Sequence, residues 1–305
     1  MSKSNHHPVV CFGEVLWDIL PGGRVPGGAP VNVAYHLKKL GKNPCLITRV
    51  GDDKDGRDLM EVFSSLEVCT DFFQTDHQYE TGKVFGRPNA TGEMMYDIVS
   101  PSAWDYIGWD DTLEELVRKS NYFVFGSLAC RNPNSRDTLF RLLKVAACRV
   151  LDINLRAPFY DIRIITELLQ QCDILKINMH ELELITDWLS GCKDIEGRIR
   201  FLEERFNIQT IVLTMGVNGA LLHAKGKSYS HPGYTVELAD TVGAGDAFLA
   251  GFLKELLSGH SYDSALESAS VMGAFVASKT GACPLYNLND IKNFTHSQNS
   301  LHSII

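Results

Sequence analysis

The segment Asp240-Thr241-Val242-Gly243-Ala244-Gly245-Asp246 sets a carboxylate at each end of a run whose centre has almost no side chain. Beyond it Phe248, Leu249, Phe252, Leu253 and Leu256 recur at helical spacing, so the run reads as a loop entering a helix over 246–257. Thr241 and Val242 still carry strand character. Small residues at such an entrance let backbone approach a ligand closely, and the first-turn N–H groups carry the positive end of the helix dipole. That arrangement cradles an anion, most often a phosphate. A carboxylate beside a bound phosphate is repelled unless it has a task. For Asp246 the task would be to take the proton from a hydroxyl that attacks phosphorus. The plainer role for Asp246 is a helix cap.

A second glycine-bearing entrance lies near the start, in Gly27-Gly28-Ala29-Pro30-Val31-Asn32. Pro30 suits a first helical turn and Gly41 suits the position just past its end, so a helix is expected up to residue 40. Asn32 offers a donor and an acceptor to a small ligand on that first turn. An ordinary turn with a helix-start Asn would look the same. Ahead of it the run 9–20 reads as one strand, with Asp18 at its far end.

The elements that must position these groups alternate. Strands are expected at 46–50, 122–126, 149–153, 174–177 and 210–214, with helices at 55–66, 135–147, 162–171 and 195–206. Polar residues gather where strands end: Asp152-Ile153-Asn154-Leu155-Arg156, then Asn178-Met179-His180-Glu181, then Met215-Gly216-Val217-Asn218-Gly219. Open parallel sheets bind ligands at that edge. Residues 81–98 break the rhythm with two short strands around Asn89-Ala90-Thr91-Gly92, and Pro88 suggests an edge hairpin there. A lid over a site, a dimer contact, or both would fit.

Bulk properties narrow the class. The 305 residues are 45% hydrophobic and 22% charged, the composition of a soluble globular protein with a substantial core. A net charge of −8 argues against nucleic acid or an anionic membrane as the main partner. Eight cysteines and ten histidines are scattered without metal spacing, which predicts reduced thiols in a cytoplasmic protein. Residues 1–8 predict no signal peptide, and no apolar run approaches the roughly 20 residues needed to span a bilayer.

Taken together, the glycine pair with Asn32, Asn178-x-x-Glu181, Thr214-x-Gly216-x-x-Gly219 and the segment 240–246 resemble the ribokinase-like (PfkB) carbohydrate kinases over residues 9–285. The resemblance implies an α/β, three-layer fold with a mostly parallel central sheet and a small β lid drawn from about 18–28 and 81–100. It implies a single kinase domain over 1–305. Asp246 would be the catalytic base, and Gly243, Ala244 and Gly245 the anion hole for the transferred phosphoryl group. Asn178, Thr214, Gly216, Gly219 and Gly245 would face the nucleotide, and 265–277 with Gly281-Ala282 would flank adenine. Asn178 and Glu181 would help hold Mg²⁺, largely through water. Carbonyls of Asp240 and Val242 would be ligands for a monovalent cation such as K⁺. On the sugar side it implies Asp18, Gly27, Gly28 and Asn32.

Gly13-Glu14-Val15-Leu16-Trp17-Asp18, Phe125-Gly126-Ser127-Leu128 with Arg131, and the strand end at Arg156 look like the fructokinase branch. Arg131 and Arg156 would then reach the sugar or its phosphate, and Lys176 could meet phosphates or merely flank its strand. The expectation is a MgATP-dependent kinase of a primary hydroxyl, D-fructose leading, acting as a possible homodimer through the lid. Ketodeoxygluconate, ribose or a nucleoside are competing substrates, the last needing an aromatic slot from Phe85, Tyr96 and Trp104. A non-catalytic sugar- or nucleotide-binding regulator is the reading from another class, and it would have no need of Asp246.

Overall fold

Val9–Phe12 (β1) is wholly buried, as a short all-apolar strand flanked on both sides should be. The expected single strand 9–20 nevertheless breaks after β1, at Gly13 with φ +143°, and resumes as Leu16–Leu20 (β2) in a different sheet. A Cβ at Gly13 would stand 2.9 Å from the Pro30 ring, so the bend needs glycine. These features come from a computed structural model, which describes residues 6–88 and 94–302. Residues Asn89-Ala90-Thr91-Gly92, the expected hairpin turn, lie outside the described residues, as do 1–5 of the polar start.

The chain folds as two compact units, Met1–Tyr35 with Asn43–Ala147, and His36–Lys42 with Cys148–Ile305. In the first, β2 forms a hairpin with Gly23–Gly27 (β3), and Ala29–Lys39 (α1) begins directly after it. Then follow Cys45–Gly51 (β4), Lys54–Ser65 (α2), Phe73–Asp76 (β5), Gly82–Pro88 (β6), Met94–Ile98 (β7), Asp111–Lys119 (α3), Tyr122–Gly126 (β8) and Pro133–Leu143 (α4). Strands β8, β1, β4 and β5 lie parallel in that order. The smaller sheet runs β3-β2-β6-β7.

The expected edge hairpin is therefore half right. Strand β7 is at the edge, but β6 is interior, parallel to β2 and antiparallel to β7. Proline is tolerated because pairing with β2 covers only Gly82 to Phe85, leaving Pro88 with a neighbour on one side. The small sheet is fastened to α2: Trp17 Nε1 donates to the Asp55 carbonyl at 3.0 Å, Arg24 pairs with Asp55 and Asp58, and Lys83 with Asp55.

The second unit holds Arg149–Asp152 (β9), Ile162–Leu169 (α5), Ile174–Asn178 (β10), Met179–Leu189 (α6), Ile195–Phe206 (α7), Thr210–Thr214 (β11), Ala220–Ala224 (β12), Lys227–His231 (β13), Ala244–Leu257 (α8), Tyr262–Ala277 (α9) and Leu288–His302 (α10). Its strands run in the order β13-β12-β11-β10-β9, the last three parallel and β12–β13 an antiparallel hairpin on β11. Helices α8 and α9 pack closely, since a Cβ on Gly251 would lie 2.7 Å from the Ser268 carbonyl oxygen. Among the described residues no helix is long and apolar enough to cross a membrane.

Packed on β4, β5 and α4, a short 3₁₀ turn at Ala103–Tyr106 buries Trp104 and Asp105. Arg131, with its side chain 4% exposed, donates Nε and Nη2 to the two oxygens of Asp105 at 2.7 Å and lies 3.8 Å over the Trp104 ring. Removing one partner of a buried pair strands the other charge, at a cost of ~3–5 kcal/mol. Arg131→Met should lower unfolding stability in urea by about that amount.

Candidate active site

The entrance of α8 differs from the starts of seven other helices. Side chains of Asp53, Asp110, Asn132, Asp161, Asn178, Asp194 and Ser261 cap α2, α3, α4, α5, α6, α7 and α9. Helix α8 starts at Gly243, with φ +77° and no side-chain cap. Asp246 is not the N-cap residue, which is Gly243. It sits within the first turn, 8% exposed. Thr241 and Val242, expected to be strand-like, are loop, because Asp240 takes up the backbone there. Its Oδ1 accepts from Val242 N at 3.0 Å and its Oδ2 from Gly281 N at 3.1 Å. Ala239 N and Asp240 N both donate to the Ala277 carbonyl. Gly243 packs so closely on Ala282 that a Cβ would fall 2.6 Å from that residue's Cα.

A buried ammonium lies against the same turn. A Cβ on Gly245 would come within 2.8 Å of Lys176 Nζ. Register places Lys176 of β10 beside Asp152 of β9, and Nζ donates to both carboxylate oxygens, at 2.9 and 3.0 Å. Burial opposes the Lys176 charge, but Asp152, Asp246 and Glu181 outweigh it and hold the ammonium above its ordinary pKa. Lys176 is therefore no ordinary strand flank. Asp152 shows in the sequence only as part of a polar strand end, because its pairing depends on register.

Asn178 and Glu181 form a capping box at the start of α6. Asn178 Oδ1 accepts from Glu181 N at 2.9 Å, and Glu181 Oε2 accepts from Asn178 N at 3.0 Å. Glu181 Oε1 accepts from Leu155 N at 2.9 Å. Burial pushes the Glu181 carboxyl above its usual range, against the pull of Lys176. Thr214 pairs in register with Asn178, so these two end adjacent strands side by side. Gly216 and Gly219 have positive φ, and a Cβ on Gly219 would meet the His231 carbonyl oxygen at 2.0 Å. Near the turn after α9, a cleft of about 490 Å³ is lined by Phe275, Lys279, Tyr286 and Phe294 among others.

The first unit brings together another group of the expected residues. Asp18 is central in β2, not at a strand end, and Gly27 is its neighbour. A Cβ on Gly27 would lie 2.3 Å from Asp18 Oδ2. Gly28, with φ +124°, faces the Glu14 carbonyl, where a Cβ would stand at 2.4 Å. Glu14, which no motif singles out as a separate group, accepts from Ala29 N at 3.3 Å. Asn32 is buried in the first turn of α1. The two arginines differ: Arg131 is engaged by Asp105 and the Val99 carbonyl, whereas Arg156 is exposed. Trp104, a candidate for a slot that holds a base, is fully buried, while Tyr96 is 51% exposed.

His36 supports the α8 entrance from behind. Its Nε2 lies 2.9 Å from the Ala282 carbonyl and its Nδ1 2.8 Å from the Tyr286 hydroxyl. A carbonyl only accepts, so Nε2 carries the proton and Nδ1 accepts from Tyr286. Burial lowers the His36 pKa to about 4. A pKa lowered from 6.5 to about 4 is worth about 3 kcal/mol, at ~1.4 kcal/mol per unit. The fold holds the neutral ring, so this stability is present above pH 6.5 and lost as pH falls through about 4. Urea unfolding across that window should show the loss in the native protein and a flatter profile in His36→Gln.

Solved structures share this architecture. A fructokinase from Vibrio cholerae O395, in a fructose-, ADP- and calcium-ion-bound form, superposes with a TM-score of 0.82 at 24% identity, covering 95% of this chain and 99% of that one. An aminoimidazole riboside kinase from Salmonella enterica, complexed with aminoimidazole riboside and an ATP analog, gives 0.80 at 24% identity over 94% of this chain and 99% of its own. The fold is thus the ribokinase-like α/β fold that the motifs predict. In sequence, the probable fructokinase-7 of Arabidopsis thaliana is 29% identical over 90% of this chain and 88% of its own length. Residues 18–287 match the pfkB family of carbohydrate kinases, and the chain belongs to that family.

Proposed function

We propose that this carbohydrate kinase is an ATP-dependent fructokinase, transferring the γ-phosphoryl group to the C6 hydroxyl of D-fructose to give fructose 6-phosphate. The observation that carries the chemistry is the uncapped start of α8, with Asp246 buried in its first turn and the Lys176 ammonium beside Gly245. Asp246 takes the hydroxyl proton as the sugar oxygen attacks phosphorus and the bond to the ADP oxygen breaks. Backbone N–H groups of Gly243, Ala244, Gly245 and Asp246 stabilise the charge on the transferred group. Lys176 offsets the surrounding carboxylates, so that a polyphosphate is not repelled. The fructokinases among the relatives favour fructose as the acceptor.

The remaining assignments follow the same reading. Asp18, Gly27, Gly28 and Asn32 bind sugar hydroxyls, and Arg156 reaches a phosphate. Arg131 positions the turn at Asp105 rather than touching the sugar. Asn178, through its amide NH₂, Thr214, Gly216 and Gly219 bind the nucleotide, and the aromatic cleft beside Tyr286 takes adenine. Both Glu181 oxygens already accept an N–H, so its remaining lone pairs suit the waters of a hydrated Mg²⁺ more than direct ligation. Bound there, Mg²⁺ would neutralise phosphate charge. Carbonyls of Asp240 and Val242 would hold a monovalent cation. We assign the whole chain to one kinase domain, with the small sheet as its lid.

ADP release from MgATP should be fastest with D-fructose in a panel that includes ribose, ketodeoxygluconate and nucleosides. Asp246→Asn should lower kcat by a factor of about 100 to 10,000, the usual worth of a general base. Faster turnover on another acceptor moves the substrate and keeps the mechanism; full activity in Asp246→Asn removes the base. Exposed Val25, Met95 and Tyr96 on the small sheet support a homodimer through that sheet. Sedimentation should then give twice the chain mass, and a monomer at assay concentrations would reject it.

A further inference from the structure

Among the described residues, one histidine and two cysteines that are far apart in sequence meet in the first unit. His7 lies just before β1, Cys45 opens β4, and Cys69 lies between α2 and β5. Their ligand atoms all fall within 4.8 Å of one another. Cys45 and Cys69 face each other across an isolated parallel bridge, with their sulfurs 3.7 Å apart. Two thiolates each ~2.3 Å from a tetrahedral zinc would stand about 3.8 Å apart, so the pair already has the spacing of one tetrahedral edge. His7 is buried, 8% exposed, and its Nδ1 lies 3.2 Å from the Asn43 carbonyl. Because that oxygen can only accept, Nδ1 carries the proton and Nε2 keeps the ring's lone pair. A histidine oriented by such a carbonyl is the form that metals bind.

The two thiols are unequal. Cys45 donates its S–H to Cys69. Asp71 lies exposed two residues beyond Cys69.

We propose that His7, Cys45 and Cys69 form a zinc site, its fourth position taken by Asp71 or water. Binding exchanges the two S–H bonds for two Zn–S bonds and releases the thiol protons to solvent. The ion ties the residues leading into β1 to the beginning of β4 and the turn before β5. Its role is structural and does not rest on the kinase reading.

The test uses the full-length, reduced and chelator-stripped protein. Titration with ZnCl₂ should show one equivalent bound and a higher Tm. Co²⁺ in its place should give a thiolate-to-cobalt charge-transfer band and the visible spectrum of tetrahedral cobalt. Cys69→Ser should abolish the band, and His7→Gln, which leaves the buried Cys45 untouched, should weaken zinc binding at least about tenfold, the least that losing even a group behind a ligand costs. Should Cys69→Ser fail to fold, His7→Gln alone decides. No stoichiometric uptake, binding unchanged in His7→Gln, or cobalt binding without a thiolate band would each overturn the site. So would oxidation of Cys45 and Cys69 to a disulfide at the same rate with and without saturating zinc.

Discussion

A buried ammonium cannot be left alone, and the second unit is arranged around that constraint. Lys176 sits inside β10 with its charge removed from water, so carboxylates must come to it. Asp152 arrives by strand register, Glu181 by the turn of α6, and Asp246 by the turn of α8. Each comes from a different element, and Glu181 is also held by the backbone N–H groups of Leu155 and Asn178. The box with Asn178 fixes Glu181, and the Gly243 turn fixes Asp246. The result is a cluster of charges brought together by strand register and two helix starts. Preorganisation of that kind is what phosphoryl transfer asks of a protein, since positioning and electrostatics supply most of the catalysis.

Sequence revealed those parts of this arrangement that are local. A glycine-rich entrance, a helix with apolar spacing and an Asn-x-x-Glu step are each contained within a few residues, and all appear where expected. The parallel alternation of strand and helix was equally legible, because each element carries its own periodicity. What stayed hidden depends on partners distant in the chain. Lys176 meets Asp152 only through the alignment of β9 with β10, and a one-residue shift would turn the two apart. His36 acquires its environment from Ala282 and Tyr286, far along the sequence. Residues 9–20 misled for another reason. Hydrophobic continuity through Gly13 conceals a change of sheet, which the positive φ of that residue allows.

Several glycines of the motifs have the same physical explanation, which is the absence of room. Gly27 yields space to the Asp18 carboxylate, Gly28 to the Glu14 carbonyl, Gly219 to that of His231 and Gly243 to Ala282. The role in ligand binding proposed for them and their role in packing are therefore not alternatives. Close backbone approach is needed to build the turn before any ligand arrives.

The attachment of the small sheet to α2 has a consequence for how the first unit opens. Trp17 supplies an apolar anchor and a hydrogen bond to Asp55, but the flanking contacts of Arg24 and Lys83 are ion pairs reached by solvent. Salt weakens such contacts and leaves buried apolar ones nearly intact. Ionic strength thereby acts selectively on this seam. Amide hydrogen exchange in β2, β3 and β6 would quicken at high salt while β1, β4 and β8 stay protected, so the sheet would open as a separate cooperative segment within a unit that remains folded.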